Sequence, residues 1–214
     1  ALDLGVGCAV EPHRGRFLNH KAPQPDTAGW LAALIGRPPR YPARFSQALT
    51  HGSANPVNYE RLEFLGDRVL GLLVSEWVFD RFAGEPEGKL SRRFNALVSG
   101  ETCAEVARDA GVPAHLILGK QARDDGAANS DNVLGDVMEA LIGALYLEAG
   151  LDEARTLVRR LWADRVDTQT AAPRHPKSAL QEWAAANKRK PPEYEIKDRS
   201  GPQHALRFVV SVTI

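Results

Sequence analysis

The chain has 214 residues, of which 43% are hydrophobic and 25% charged, and its formal net charge at pH 7 is zero. This length exceeds the roughly 100 to 150 residues of a typical domain, so one large domain or two unequal domains are expected. No stretch of the sequence approaches the roughly 20 consecutive apolar residues that cross a bilayer, which excludes a membrane-spanning protein and a membrane partner.

The charges are distributed unevenly along the chain. Of the 27 basic and 27 acidic side chains, 8 and 4 lie in residues 174–214, which leaves 19 and 23 in residues 1–173. The body is therefore acidic and the tail basic, which indicates two units with different tasks. An acidic body repels nucleic acid unless cations or the basic tail mediate the contact.

Residues 1–27 mix Gly, Pro, Arg and His without periodicity, and we interpret them as an irregular lead-in of unassigned function. They lack the basic flank and long apolar run of a secretory signal, so a cytoplasmic location is expected. Cys8 and Cys103, the two cysteines, have no partners at zinc-like spacing and predict plain thiols.

Helical periodicity dominates the next part of the chain. Short helices are predicted from Trp30 and over 45–50, followed by a long amphipathic helix over 58–82 with Asn58 as its N-cap. Its apolar face would contain Leu62, Leu65, Val69, Leu72 and Leu73. Further helices are predicted over 90–99, 101–110, 133–149 and 151–166, so residues 28–166 form an all-helical domain.

The character of the sequence changes after this helical domain. Residues 167–174 lose apolar periodicity and predict a linker. A helix over 176–187 and strands at 194–196 and 206–214 then predict a second, α+β unit over 175–214. Because the unit as given ends in a strand, a sheet edge and an apolar face are expected to stay uncovered. The fold class is thus mainly α.

Two predicted helices carry acidic stripes. Glu60, Glu63 and Asp67 stand at i, i+3 and i+7, within about 60° of one another and opposite the leucine face, with no Lys or Arg at i+4 to neutralise them. Asp136 and Glu139 repeat the pattern on a second helix. The small residues Gly143 and Ala144 follow and permit close helix approach.

If the two stripes face each other, their oxygens suit Mg²⁺, or Mn²⁺ as a substitute, because both prefer oxygen ligands. Such a metal can generate hydroxide from bound water and favours phosphodiester cleavage. Each stripe taken alone is more often a solvated helix face. A di-iron bundle is disfavoured because neither stripe contains the Glu-x-x-His motif.

Residues 48–70, ALTHGSANPVNYERLEFLGDRVL, resemble the motif of the ribonuclease III family, whose core reads Asn-Glu-Arg-Leu-Glu-Phe-Leu-Gly-Asp, with Tyr59 inserted after Asn58. The segment 87–91 resembles the family's second acidic loop, and 136–143 its second acidic helix. These blocks follow the family's order, and the resemblance covers residues 28–166.

The resemblance implies an endonuclease that hydrolyses double-stranded RNA in RNA processing, rRNA processing included, and leaves staggered ends with 5′-phosphates. It also implies a homodimer in which Phe64 enters a cavity of the partner. The metal ligands implied are Glu63, Asp67, Asp136 and Glu139, with Glu60 and Glu87 as additional catalytic residues.

The tail, residues 175–196, resembles the opening helix and first strand of a double-stranded RNA-binding domain, which reads duplex shape and 2′-hydroxyls. The chain ends before a third strand and a final helix, so the unit is incomplete as given. The residues implied to contact RNA are Lys177, Ser178, Gln181, Glu182 and His204.

Two alternatives stay open at this point. One is a non-catalytic RNA-binding or dimerisation protein that retains the fold, which would be indicated by loss of a carboxylate. The other is a metal-dependent nuclease or phosphohydrolase that acts on a different substrate.

Overall fold

The computed structural model describes residues 26–169, 171–173, 176–201 and 206–214, and of residues 176 and 178 it describes the main chain alone. The predicted lead-in therefore lies almost wholly outside the described residues, as do residues 170, 174 and 175 of the predicted linker. In the described part the helices are α1 (Thr27–Ile35), α2 (Pro42–Ala48), α3 (Glu60–Arg81), α4 (Glu87–Leu97), α5 (Gly100–Asp109), α6 (Lys120–Asp124), α7 (Asp131–Ala149), α8 (Leu151–Asp167) and α9 (Pro176–Ala186).

The long helix α3 begins two residues later than predicted. Asn58 nevertheless has a capping role, since its side-chain oxygen accepts a hydrogen bond of 3.0 Å from the amide of Glu60. Leu72 was assigned to the apolar face, and that assignment is wrong, because its side chain is 55% exposed. Leu62, Val69 and Leu73 are buried as predicted. Leu70 and Val74 are buried beside them, so the core-facing side of the helix extends in their direction and away from Leu72.

Helix α7 forms the centre of the helical domain. It is buried on most of its circumference, from Leu134 to Leu145, and packs against α3, α5 and α8. Its hydrophobic residues continue into a single core with those of the neighbouring helices. Because neighbouring helices surround α7, most of its side chains are apolar and it has no wide polar face.

Two glycines allow α3 and α7 to cross at very short range. A Cβ atom added at Gly66 would overlap the main-chain oxygen of Glu139, and one added at Gly143 would overlap that of Leu62. The close approach predicted from Gly143 is therefore present, and Gly66 is its partner on α3. Because Gly66 is buried one turn after Glu63, the acidic stripe borders the buried face of α3; the expectation that it lies opposite that face is wrong.

The second unit consists, in its described residues, of α9 and a two-stranded antiparallel sheet, β1 (Glu193–Ser200) and β2 (Arg207–Thr213). Tyr194 pairs with Val212 and Ile196 with Val210, and the register shifts after Ile196. Nearly all the side chains of both strands are exposed. Among the helices of the described residues, none has the length and apolar character needed to cross a membrane.

Candidate metal centre

Three carboxylates meet where α3 and α7 cross. Glu63 of α3 and Asp136 and Glu139 of α7 each offer one oxygen, and these oxygens lie within 4.8 Å of one another. All three side chains are partly buried, so the cluster is accessible to solvent but not fully hydrated. The facing acidic helices predicted from the sequence therefore meet in the structure.

The glycine crossing explains this geometry. Glu63 lies one turn before Gly66, and Glu139 is the residue whose main-chain oxygen contacts Gly66. Asp136 lies one turn before Glu139 on the same side of α7. Side chains that project from two helix axes brought this close together share one small volume.

The pKa of each of the three carboxyl groups in the cluster is raised above its ordinary value. Burial, followed by the charges of Glu63 and Asp136, raises the pKa of Glu139 to about 7. Burial also raises the pKa of Asp136. The pKa of Glu63 is raised by burial and by the charges of Asp136 and Glu60. The three carboxylates repel one another when all are ionised. A cation bound between them would offset this repulsion and favour the ionised forms.

The donor set fits a divalent metal ion. All three groups supply hard oxygen atoms, which suit Mg²⁺ and Mn²⁺, and three protein ligands leave positions for water and phosphate. The charge of Arg68 lowers the pKa of both Glu63 and Glu139, but burial and the neighbouring carboxylates outweigh it. Arg68 stands five residues after Glu63, so it lies outside the i+4 positions at which the sequence shows no neutralising Lys or Arg.

The other predicted acidic residues lie outside this group of three. The Asp67 carboxylate forms an ion pair with the neighbouring Arg68. Glu60 is exposed in the first turn of α3 and acts on Glu63 through its charge. Glu87 is the first residue of α4, exposed, and accepts a hydrogen bond of 2.6 Å from Ser91.

Tyr59 and Cys103 lie at the site, although the sequence did not predict them as site residues. Tyr59 is buried, and its hydroxyl donates a hydrogen bond of 3.4 Å to Asp136 Oδ2. Burial and the charge of Asp136 raise the Tyr59 pKa to about 12, which keeps the hydroxyl protonated. Cys103 Sγ lies 3.9 Å from Glu139 Oε1 and is buried; burial and the charge of Glu139 raise the pKa of this thiol to about 12.

The residues predicted to contact RNA lie on α9, apart from His204, which is outside the described residues. Lys177, Gln181 and Glu182 are exposed, whereas the side chain of Ser178 is not described. Lys177 Nζ lies 5.4 Å from the centre of the Tyr194 ring. Glu182 Oε1 lies 4.0 Å from Arg92 Nη1 on α4, so this carboxylate has a protein partner on the helical domain.

Phe64 is 65% exposed on α3. The guanidinium of Arg68 lies 5.3 Å from the centre of its ring. Beside Phe64 is an open groove of about 790 Å³, whose apolar lining includes Tyr41, Val57 and Leu147. An exposed aromatic side chain next to an apolar groove is a typical feature of an interaction surface.

The fold and the site define a helical domain with an acidic centre, joined to a small α+β unit. A family model described as Ribonuclease-III-like matches residues 43–165, and one described as Double-stranded RNA binding motif matches residues 176–214.

Proteins with similar sequences support the assignment made by the two family models. Ribonuclease 3 of Zymomonas mobilis is 54% identical over 209 residues, 97% of this chain and 85% of that one. Ribonuclease 3 of Rhodobacter capsulatus is 49% identical over 81% of this chain and 77% of its own length. The crystal structure of the nuclease domain of ribonuclease III from Campylobacter jejuni superimposes with a TM-score of 0.63 and 34% identity, covering 66% of this chain and 97% of that one. The chain belongs to the ribonuclease III family.

Proposed function

We propose that this protein is an endoribonuclease that hydrolyses phosphodiester bonds of double-stranded RNA with the help of Mg²⁺, for which Mn²⁺ can substitute. The observation that carries the proposal is the meeting of Glu63, Asp136 and Glu139 within 4.8 Å at the crossing of α3 and α7. Family membership and the RNA-binding motif at residues 176–214 support duplex RNA as the substrate.

In this proposal Glu63, Asp136 and Glu139 hold the cation, which, when bound, supplies a Lewis acid for the charge that develops on the phosphate. Asp67 is the fourth ligand implied by the resemblance, and its Oδ2 atom is paired with Arg68. Glu60 and Glu87 are proposed as further acidic residues of the catalytic surface. Products with staggered ends and 5′-phosphates, and a role in RNA processing, follow from the resemblance.

We propose a homodimer built on the exposed face of α3. Phe64, Leu72 and Phe79 all lie on this face and are 65%, 55% and 69% exposed. An exposed Phe64 beside its own apolar groove is self-complementary, so two copies related by a twofold axis could exchange these contacts. A solved structure of the Campylobacter jejuni nuclease domain is described as having a region involved in dimer formation.

We propose these domain limits: an irregular lead-in at 1–27, the endonuclease domain at 28–166, a linker at 167–174 and an RNA-binding domain at 175–214. On the last unit we propose that Lys177, Ser178, Gln181, Glu182 and His204 contact RNA. A cytoplasmic site of action likewise stays a prediction from the sequence.

A comparison of substrates tests the proposed function directly. Labelled duplex RNA, single-stranded RNA and duplex DNA are incubated with the full chain in Mg²⁺ and in chelator. We expect cleavage of duplex RNA in Mg²⁺ alone. Binding of duplex RNA without cleavage would favour a non-catalytic RNA-binding protein, and cleavage of another substrate would favour a different phosphodiesterase.

A further inference from the structure

Tyr59 occupies a fixed position between the loop that precedes α3 and the acidic cluster. Its amide donates a hydrogen bond of 3.0 Å to the oxygen of Thr50, and its own carbonyl accepts from the amides of Leu62 and Glu63 at 2.8 and 2.9 Å. The side chain is only 6% exposed. Main chain and ring are therefore both held in place, which makes the hydroxyl a preorganised donor.

The acceptor of that hydroxyl is Asp136 Oδ2, at 3.4 Å. Among the described residues, the Tyr59 hydroxyl is the one hydrogen-bond donor to the Asp136 carboxylate. The motif that residues 48–70 resemble gives Tyr59 no role, because the residue stands there as an insertion between Asn58 and Glu60.

Asp136 needs such a partner because its neighbours repel it. Glu63 and Glu139 each place an oxygen within 4.8 Å of one of its oxygens. A carboxylate between two like charges favours any rotamer that turns away from them. A donor that engages one oxygen restricts this rotation and leaves the other oxygen directed at the shared volume. Hydrogen bonds of this kind orient the carboxylate and histidine ligands of metal sites in general.

We propose that Tyr59 is a positioning residue, which orients Asp136 for divalent-cation binding through its hydroxyl. This inference rests on the proposed function, since it assumes that the cluster holds a cation. Tyr59 touches neither RNA nor cation in this account and acts through Asp136 alone.

The alternative is that the hydroxyl merely satisfies a buried polar group. That role would alter stability without changing metal affinity. Any loss of metal affinity that arose only from a less stable fold would be independent of the side chain at position 136. Both differences can be measured without RNA and without catalysis.

The test compares Mn²⁺ binding to the full chain by calorimetry for the native protein, Tyr59→Phe and a matched control, Tyr146→Phe. Phenylalanine keeps the ring and removes one oxygen. Tyr146 lies on the same helix as Asp136, ten residues further along, which is about 15 Å. We expect Tyr59→Phe to weaken Mn²⁺ binding by about tenfold, the lower end of the range for such partners, because the hydrogen bond is long.

Raised Mg²⁺ should restore cleavage by Tyr59→Phe, and Tyr146→Phe should bind Mn²⁺ as the native chain does. In an Asp136→Ala background, which removes both oxygens of the acceptor, Tyr59→Phe should change Mn²⁺ affinity by less than about twofold, because the coupled partner is gone. Tyr59→Met provides a second hydroxyl-free variant if Tyr59→Phe does not fold. Native Mn²⁺ affinity in a folded hydroxyl-free variant, or an equal loss in both backgrounds, overturns the positioning role and leaves the proposed function standing. A native chain that neither binds Mn²⁺ nor cuts duplex RNA overturns both.

Discussion

Gly66 of α3 packs directly against the main-chain oxygen of Glu139 on α7, with no room for a Cβ atom between them. The same crossing brings Glu63 within reach of Asp136 and Glu139. The proposed metal centre is thus a consequence of how closely two helices approach, and its geometry depends on a residue that carries no functional group.

Gly66→Ala should therefore damage both stability and activity. The new methyl group must push α3 away from α7 because it meets main-chain atoms, which cannot rotate aside. We expect a loss of about 3 kcal/mol in the free energy of unfolding, at the upper end of the usual cost of overpacking. Urea denaturation measures this loss, and Mn²⁺ binding should weaken in parallel.

Gly100→Ala is the matched control. Gly100 begins α5, and a Cβ atom there would meet nothing within 4 Å. Alanine should leave the stability unchanged or raise it by up to about 1 kcal/mol through its higher helix propensity. Equal stability of the two variants would contradict the role given to the Gly66 contact.

The metal-free protein should lose stability as the pH rises from about 4.5 to about 7. The pKa of Glu139 is raised to about 7, from 4.5 in the absence of the fold, and those of Glu63 and Asp136 are raised as well. In this window the folded state holds protons that the unfolded state has released, so stability falls with rising pH and levels off above it. Thermal melts in chelator between pH 5 and pH 8 measure the trend.

Glu139→Gln isolates the contribution of this carboxyl to the trend. Glutamine stays neutral, so the variant should match the native chain near pH 5 and exceed its stability by about 1 to 3 kcal/mol at pH 8 without metal. Excess Mg²⁺ at pH 8 should raise the melting temperature of the native chain and much less that of the variant. A stability difference that does not vary with pH would contradict the pKa assigned to Glu139.

Phe64→Ala should weaken self-association. The ring is exposed beside an apolar groove and has the properties of a central interface anchor. Truncation of such an anchor costs about 2 kcal/mol, and a twofold dimer loses two of them, so the dimer dissociation constant should rise by roughly a thousandfold. Analytical ultracentrifugation measures it. Phe208→Ala, which removes a half-exposed phenylalanine from β2, is the control and should not affect the dimer.

Lys177→Ala should lower the affinity for duplex RNA and reduce the slope of log K against log salt concentration by about 1, as expected for the loss of one phosphate contact. Its ammonium is exposed on α9, near the Tyr194 ring. Lys197→Ala is the matched control, because Lys197 is paired with Glu195 at 2.6 Å on β1. Identical salt slopes for the two variants would argue against a phosphate contact of Lys177.

The sequence predicted the helical domain, the α+β unit and the meeting of acidic residues from two helices. Periodicity and capping residues determine where helices form, and Glu63, Asp136 and Glu139 follow from the spacing of like charges together with the family motif. Leu72 was misplaced because a leucine at helical spacing does not reveal whether a neighbouring helix covers it.

Tyr59 and Gly66 could not be assigned from the sequence for a different reason. The contact of Tyr59 is with Asp136, 77 positions away, and the neighbour of Gly66 is the main chain of Glu139. Such long-range contacts leave no local pattern. Gly66 does carry one usable signal: a glycine in the middle of an otherwise regular helix is costly and usually marks close packing.

The rate of duplex RNA cleavage by Glu139→Gln in Mg²⁺, under single-turnover conditions, tests the proposed metal centre most directly. The control is Glu153→Gln, on the exposed first turn of α8. We expect Glu139→Gln to bind duplex RNA normally and to cut it at least about a thousandfold more slowly, a loss of roughly 4 kcal/mol of transition-state stabilisation. Glu153→Gln should cut at the native rate. Undiminished Mg²⁺-dependent cleavage by Glu139→Gln would contradict the assignment of the α3–α7 carboxylates as the metal centre.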